Sequence, residues 1–124
     1  PSYASPENKL MLTREGMIWF WDHYLPETSR RKEPDASPLH ADDLSGLPPA
    51  VILTAEFDVL RDEGEAYAER LTEANVPTDL KRYAGQMHGF FSLLMLPGSE
   101  LGFQQVVKAV KACIAKGRKA QLTS

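Results

Sequence analysis

Two loops of this chain carry side chains that could act together in proton transfer. Asp58 follows a short apolar segment, and His88 lies between Met87 and Gly89 after a later one. A carboxylate that holds a histidine in one tautomer forms the supporting half of an acyl-transfer triad. Asp58 and His88 are therefore candidates for the acid and the base of such a triad.

Each of these residues also has a structural interpretation. Asp58 or Asp62 could cap the helix that follows, as acids at such positions usually do. His88, beside Gly89, could be an ordinary turn residue. The pattern alone leaves the catalytic and the structural interpretations open, because most loop histidines and aspartates are structural or solvated.

The elements that must position the two side chains form a βαβ unit. Residues 50–55 are continuously apolar, which is typical of a parallel strand buried on both faces. Apolar residues at helical spacing then predict a helix over 60–74, and 78–83 a second strand. The strands should be parallel with a right-handed crossover. Asp58 and His88 would then lie at the same carboxyl edge of the sheet, within hydrogen-bond reach.

Two further helices flank this unit. The first runs from Thr13, a plausible N-cap, to Tyr24, and residues 18–20 make it apolar nearly all round. Such a helix must be buried or must line something. The last helix is predicted over 102–116, with an inner face formed by Phe103, Val106, Val107, Val110, Cys113 and Ile114. On that face Cys113 should be an inert core thiol.

The number of strands indicates that this α/β arrangement is incomplete as a stand-alone domain. An apolar strand at 50–55 needs neighbours on both sides, yet the chain offers only one other convincing strand. We expect a piece of a larger α/β sheet, either a fragment or a subunit completed by a partner. The alternative function is a non-catalytic assembly module that pairs through its exposed sheet edge.

Composition excludes several classes of function. The 124 residues are 43% apolar and 25% charged, with a net charge of −3, which suits a soluble globular protein and argues against nucleic acid as a partner. No apolar run approaches the roughly 18 to 20 residues that cross a bilayer. The single Cys113 fits a reducing compartment, so we predict a cytoplasmic location. The three histidines are widely spaced and no cofactor fingerprint occurs, so we expect neither a metal nor a cofactor.

The sequence contains no obvious nucleophile. None of its eight serines lies in a Gly-x-Ser-x-Gly turn, and no glycine-rich oxyanion loop occurs. These serines are Ser2, Ser5, Ser29, Ser37, Ser45, Ser92, Ser99 and Ser124. A triad would therefore need a serine from outside this chain.

Several segments resemble one enzyme family, the hormone-sensitive-lipase-like (bacterial family IV) carboxylesterases. Residues 48–58 followed by 60–64 resemble the acid-bearing segment of that family, and 82–83 leading into 87–91 resemble its histidine segment. Further matches are Leu12-Thr13 leading into Trp19-Phe20-Trp21, then Tyr24-Leu25 and Ser37-Pro38-Leu39. The resemblance covers nearly the whole chain, and it is to the C-terminal portion of that family only.

The resemblance implies an α/β-hydrolase fold and a role for each matched position. Asp58 corresponds to the triad acid and His88 to the base, while Glu56 and Asp62 would be structural. Val59 replaces a proline that is usual in the family, a small departure that should leave the carboxylate undisturbed. The family's serine and oxyanion glycines have no counterpart in this chain.

The resemblance also divides the chain and implies a pocket. Residues 1–32 would be part of a helical cap over the acyl pocket, and 33–124 the C-terminal part of the catalytic domain. Candidates to line the pocket are Trp19, Trp21, Met87 and Phe90, although core packing also explains such aromatic residues.

We therefore predict a carboxylic-ester hydrolase segment acting on short-to-medium acyl esters. The chain alone should be inactive because it lacks the nucleophile. Its partners would be a small ester substrate, and either the missing N-terminal part of the hydrolase or another copy at the exposed sheet edge.

Overall fold

A computed structural model of the chain describes residues 2–122, with side-chain environments through residue 115. The chain divides into two compact units, Pro1–His88 and Gly89–Ser124. The first contains helix α1 (Arg14–Tyr24), strand β1 (Ala50–Phe57), helix α2 (Arg61–Glu73) and strand β2 (Thr78–Met87), and the second contains helix α3 (Pro97–Leu122). Short 3-10 turns occupy Ser2–Ala4, Pro6–Asn8, Thr28–Lys32, Pro38–His40 and Phe90–Ser92.

The predicted βαβ unit is confirmed. Strands β1 and β2 pair in parallel, with a regular register from Ala50 opposite Thr78 to Ala55 opposite Tyr83. Both strands are longer than their sequence patterns suggested, because each continues past the apolar run to the loop that carries Asp58 or His88. The right-handed crossover stays a prediction.

The core of the first unit lies between α2 and the segment that leads into β1. Leu44, Leu71 and Val76 are buried together, and Ile52 and Tyr67 pack against them. Complete burial of a leucine such as Leu71 stabilises the folded state by about 1.5–3 kcal/mol. These contacts fix α2 against β1 and thereby set the position of the loop between them.

The sheet is less buried than its apolar composition predicted. Within β1 only Thr54 and Ala55 are buried, and the other residues are half-buried. In β2 only Tyr83 is buried and most other residues are exposed. The expectation of a strand buried on both faces is therefore wrong for the described residues, since the sheet they form has two strands.

Helix α1 begins as predicted but lacks the burial that its sequence indicates. Thr13 is the N-cap, and its Oγ1 accepts a hydrogen bond from the Gly16 N–H at 3.0 Å. No residue of the helix is buried, and Trp19 is 57% exposed. The Trp19 ring packs against Phe20 and His23, with centroid distances of 5.2 and 4.1 Å. In the described chain Ile18, Trp19 and Phe20 therefore face solvent, whereas Met17 and Trp21 are half-buried.

Helix α3 corrects the interpretation of Cys113. The helix extends beyond its predicted bounds at both ends. Phe103, Val110 and Ile114 are each exposed by about half, and Cys113 on the same face is an exposed free thiol. The prediction of a core thiol is therefore wrong, because Cys113 lies on an exposed part of the helix.

Among the described residues, no helix combines the length and apolar character required to cross a membrane.

Candidate active site

Asp58 and His88 form a hydrogen-bonded pair. Asp58 directly follows β1 and His88 directly follows β2, so both lie at the carboxyl ends of adjacent parallel strands. The distance from His88 Nδ1 to Asp58 Oδ2 is 2.9 Å. Asp58 is buried, whereas the His88 side chain is 40% exposed. When Nδ1–H donates to this carboxylate, Nε2 becomes the nitrogen that can accept a proton.

The second oxygen of Asp58 orders the loop. Asp58 Oδ1 accepts a hydrogen bond from the backbone N–H of Leu60 at 2.9 Å, which is the contact of an Asx turn. This contact reaches the N-cap residue of α2, and no side-chain hydrogen bond caps that helix, so the expected capping of the helix by Asp58 is wrong. Asp58 instead holds the loop through one oxygen and pairs with His88 through the other. Because Oδ1 is held by the backbone, the carboxylate plane is fixed with Oδ2 toward the imidazole.

The segment that contains Ser2 and Asn8, although distant in sequence, is hydrogen-bonded to this loop. Ser2 and Asn8 are both 1% exposed. Ser2 Oγ donates to the carbonyl oxygen of Val59 at 2.6 Å, and Asn8 Nδ2 donates to that of Asp58 at 3.2 Å. Neither residue is identified by the sequence, since nothing local marks a contact across 50 or more positions.

Tyr3 ties the same segment to α2. Burial of its hydroxyl, together with the nearby negative charge of Glu63, raises the pKa of Tyr3 well above its usual value. The charge of Asp58 acts in the same direction. Tyr3 therefore stays protonated and donates a hydrogen bond to Glu63.

Glu56 and Asp62 have the structural contacts that the sequence analysis expected. Glu56 Oε2 accepts a hydrogen bond from the Gly85 N–H at 2.7 Å, and its carbonyl oxygen accepts one from Arg61 Nη1 at 2.8 Å. The carboxylate of Asp62 accepts hydrogen bonds from the Ser2 N–H and from Arg61 Nε. Both acids hold backbone near the pair, and their described hydrogen bonds do not include His88.

The four candidate pocket residues occupy different surroundings. Met87 is half-buried, lies opposite Phe57 and directly precedes His88. Trp21 lines a groove of about 430 Å³ together with residues 36–40 and with Glu63, Gly64 and Tyr67, and neither Asp58 nor His88 lines it. Trp19 is exposed on α1, and Phe90 is buried in the 3-10 turn of the second unit. A pocket-lining role for all four stays a prediction.

In the described part of the chain, no group of three or more histidine, cysteine, aspartate or glutamate side chains is arranged to hold a metal ion. The Asp58–His88 pair has the geometry required for proton transfer by the imidazole.

Comparison with known proteins gives the family. Residues 1–92 match the family model of the α/β-hydrolase fold. The carboxylic ester hydrolase LipN of Mycobacterium tuberculosis is 40% identical over 111 residues, which cover 88% of this chain and 30% of LipN.

Solved structures agree with this match. The thermophilic carboxylesterase EstE1, cloned from a metagenomic library, superposes with a TM-score of 0.82 at 34% identity, covering 90% of this chain and 37% of EstE1. The esterase of Pyrobaculum calidifontis gives a TM-score of 0.81 at 39% identity, with 90% and 36% covered. The chain thus spans about a third of the length of the proteins it matches. It belongs to the α/β-hydrolase family, among the hormone-sensitive-lipase-like carboxylesterases, and corresponds to a C-terminal portion of them.

Proposed function

We propose that Asp58 and His88 are the acid and the base of a Ser-Asp-His triad that hydrolyses carboxylic esters of short to medium acyl length. The observation that carries the proposal is the 2.9 Å contact between His88 Nδ1 and Asp58 Oδ2 at the carboxyl edge of the sheet. The serine and the oxyanion donors come from residues outside this chain. A cytoplasmic location is part of the proposal, supported by the single cysteine.

The chemistry follows from the pair. His88 Nε2 takes the proton of the serine hydroxyl as that oxygen attacks the ester carbonyl. The resulting imidazolium then protonates the departing alcohol, which leaves an acyl-serine. His88 then takes a proton from water as the water oxygen attacks the acyl carbonyl. The bond between the acyl group and the serine breaks, the imidazolium returns the proton to the serine oxygen, and the carboxylic acid is released. Asp58 orients the ring and stabilises each imidazolium, and its bond from the Leu60 N–H prevents the carboxylate from turning away.

The test is a grafted esterase, in which this chain replaces the segment of the Pyrobaculum calidifontis esterase that it matches. We expect the grafted esterase to hydrolyse p-nitrophenyl butyrate. His88→Ala should lower its kcat by about 10⁴-fold or more, because the serine loses its general base. His40→Ala is the matched control, since His40 is an exposed histidine of the same unit and should leave kcat within about twofold.

Two results would contradict the proposal. A grafted esterase whose kcat is unchanged by His88→Ala would remove His88 from the reaction. Hydrolysis at ordinary esterase rates by the 124-residue chain alone, lost in His88→Ala, would show that the nucleophile lies within this chain.

A further inference from the structure

The parallel ladder is irregular immediately before His88. The register passes from Ala55 opposite Tyr83 to Phe57 opposite Met87, so residues 84–86 of β2 lie opposite Glu56 alone. Extra residues of this kind bend a strand and change the direction of the side chains that follow. His88 is the first residue after this strand, so the backbone path of the bulge determines the position and direction of the His88 side chain.

The bulge has a defined backbone conformation. Gly85 has a φ of +72°, in the left-handed region that glycine adopts without steric cost. A bulge also displaces backbone groups from the regular ladder, and these groups need other partners. The Gly85 N–H finds its acceptor in Glu56 Oε2 at 2.7 Å.

Glu56 is itself held from the other side. Its carbonyl oxygen accepts a hydrogen bond from Arg61, the first residue of α2, at 2.8 Å. Glu56 lies two positions before Asp58, and Gly85 lies three positions before His88. One side chain therefore connects the two strand ends that carry the acid and the histidine.

We infer that Glu56 is a positioning residue for His88, which acts by accepting the Gly85 N–H and so fixing the bulge that aims the imidazole at Asp58. The inference rests on the function proposed above. Glu56 exchanges no proton with substrate. It contributes to the reaction by keeping His88 at hydrogen-bond distance from Asp58. Errors of about 1 Å in such a distance lower rates by about 10²-fold.

The first readout uses the grafted esterase and proton NMR. The His88 Nδ1–H that donates to a carboxylate should give a resonance far downfield of the amide protons. In Glu56→Ala we expect this resonance to weaken or disappear, and the Gly85 amide proton to exchange faster with solvent. In Glu56→Gln both signals should persist, because the side-chain carbonyl still accepts the Gly85 N–H.

The second readout is the kcat of the grafted esterase. Glu56→Ala should lower kcat by about 10- to 100-fold with KM within about twofold, since the pair is misplaced while the substrate pocket is unchanged. The matched control is Glu65→Ala. Glu65 also connects the sheet and α2, through Thr54 and Arg82, but it does so where the ladder is regular. Its loss should leave the His88 resonance and kcat unchanged.

The outcomes separate this inference from the function on which it rests. An unchanged resonance and kcat in Glu56→Ala would overturn the role of Glu56 while the Asp58–His88 pair stands. Glu56→Gln behaving like Glu56→Ala would overturn the hydrogen-bond mechanism. The resonance must also vanish in Asp58→Asn, and its absence from the otherwise unmodified grafted esterase would overturn the pair and the inference together.

A milder variant covers the case in which Glu56→Ala does not fold. Glu56→Asp withdraws the carboxylate by one methylene, so the Gly85 amide should exchange faster and the resonance should weaken in the same direction. If Glu56→Asp folds and neither signal changes, Glu56 does not position His88.

Discussion

Asp58 makes two hydrogen bonds through two different oxygens, and the two have separable consequences. Oδ1 accepts the Leu60 N–H and shapes the turn into α2, whereas Oδ2 accepts from His88. If Asp58 bound only the Leu60 N–H, its second oxygen would have no partner in the site. If it bound only His88, no backbone contact would fix the rotation of its carboxylate. The combination makes Asp58 both part of the fold and part of the site.

The two roles can be separated by Asp58→Asn. An asparagine can keep its carbonyl toward the Leu60 N–H, but its NH₂ then faces His88, which must accept at Nδ1 and carry its proton on Nε2. We expect kcat of the grafted esterase to fall by about 10⁴-fold, with the free energy of unfolding changed by less than about 1 kcal/mol. Kinetics and urea unfolding measure the two effects.

Asp62→Asn is the control for this substitution. Asp62 accepts from Ser2 and Arg61, and its described hydrogen bonds do not involve the imidazole, so its loss should alter stability and spare kcat. Retention of kcat by Asp58→Asn, or an equal loss in Asp62→Asn, would argue against a tautomer effect.

The sequence identified the pair at this scale but missed most of its supports. Asp58 and His88 follow predicted strands, so the topology of a parallel sheet brought them together. Ser2 contacts Val59 through a separation that leaves no local pattern, and Asn8 resembles any polar turn residue. The role of Glu56 depends on a register irregularity, which the periodicity of the two strands did not reveal.

At the scale of elements, local patterns predicted the helices and strands correctly but not the burial of their apolar faces. The strand–helix–strand order and Thr13 as N-cap are both confirmed. Periodicity reports that a face is apolar, but it carries no information about the presence of a neighbour. Helix α1 was expected to be buried or to line something, and α3 to have a buried inner face. In the described chain Ile18, Trp19 and Phe20 on α1 are exposed, as are Val110 and Ile114 on α3.

The link between β2 and α2 gives a pH-dependent stability. Arg82 donates two hydrogen bonds to Glu65, at 2.7 and 2.5 Å, and these contacts hold the pKa of the Glu65 carboxyl below its ordinary value. A pKa that is lower in the folded state stabilises the fold at pH values above the unfolded pKa of 4.5. That contribution is lost as the pH falls through the lower pKa of the folded state.

Glu65→Gln tests this pH dependence. Because the Arg82 side chain is half-exposed, we expect the substitution to cost less than about 1 kcal/mol at neutral pH. The difference between the two proteins should shrink below about pH 4. Urea unfolding across this pH range measures it, with Glu69→Gln, an exposed acid on the same helix, as control. A difference that stays constant down to pH 2 would show that the ion pair is not its source.

At the scale of the whole molecule, the most informative feature is the apolar surface that is exposed to solvent. Apolar side chains are exposed on α1 in one unit, at Ile18, Trp19 and Phe20, and on α3 in the other, at Val110 and Ile114. A two-stranded sheet is marginal in water, and exposed apolar patches of this kind mark interaction sites. The described residues form a sheet of two strands and leave these apolar side chains exposed.

These surfaces lead to an expectation about stability. The 124-residue chain alone should unfold with a free energy below about 5 kcal/mol. A separate polypeptide comprising the part of the Pyrobaculum calidifontis esterase that the chain does not cover should raise that stability by mass action. At 100 times the dissociation constant the gain is about 2.7 kcal/mol. Urea unfolding with and without this polypeptide measures it, and tryptophan fluorescence reports burial of the exposed Trp19.

Activity in the same mixture decides between the hydrolase and the assembly module. If the added polypeptide supplies the serine, hydrolysis of p-nitrophenyl butyrate should appear together with the gain in stability. The Asp58→Asn chain should gain the same stability and almost no activity, because it keeps the surface and loses the carboxylate that holds His88 in the catalytic tautomer. A chain that instead forms a tight dimer through its sheet edge, ignores the added polypeptide and hydrolyses nothing would favour the assembly module. In that case the Asp58–His88 pair would be a structural contact of the loop.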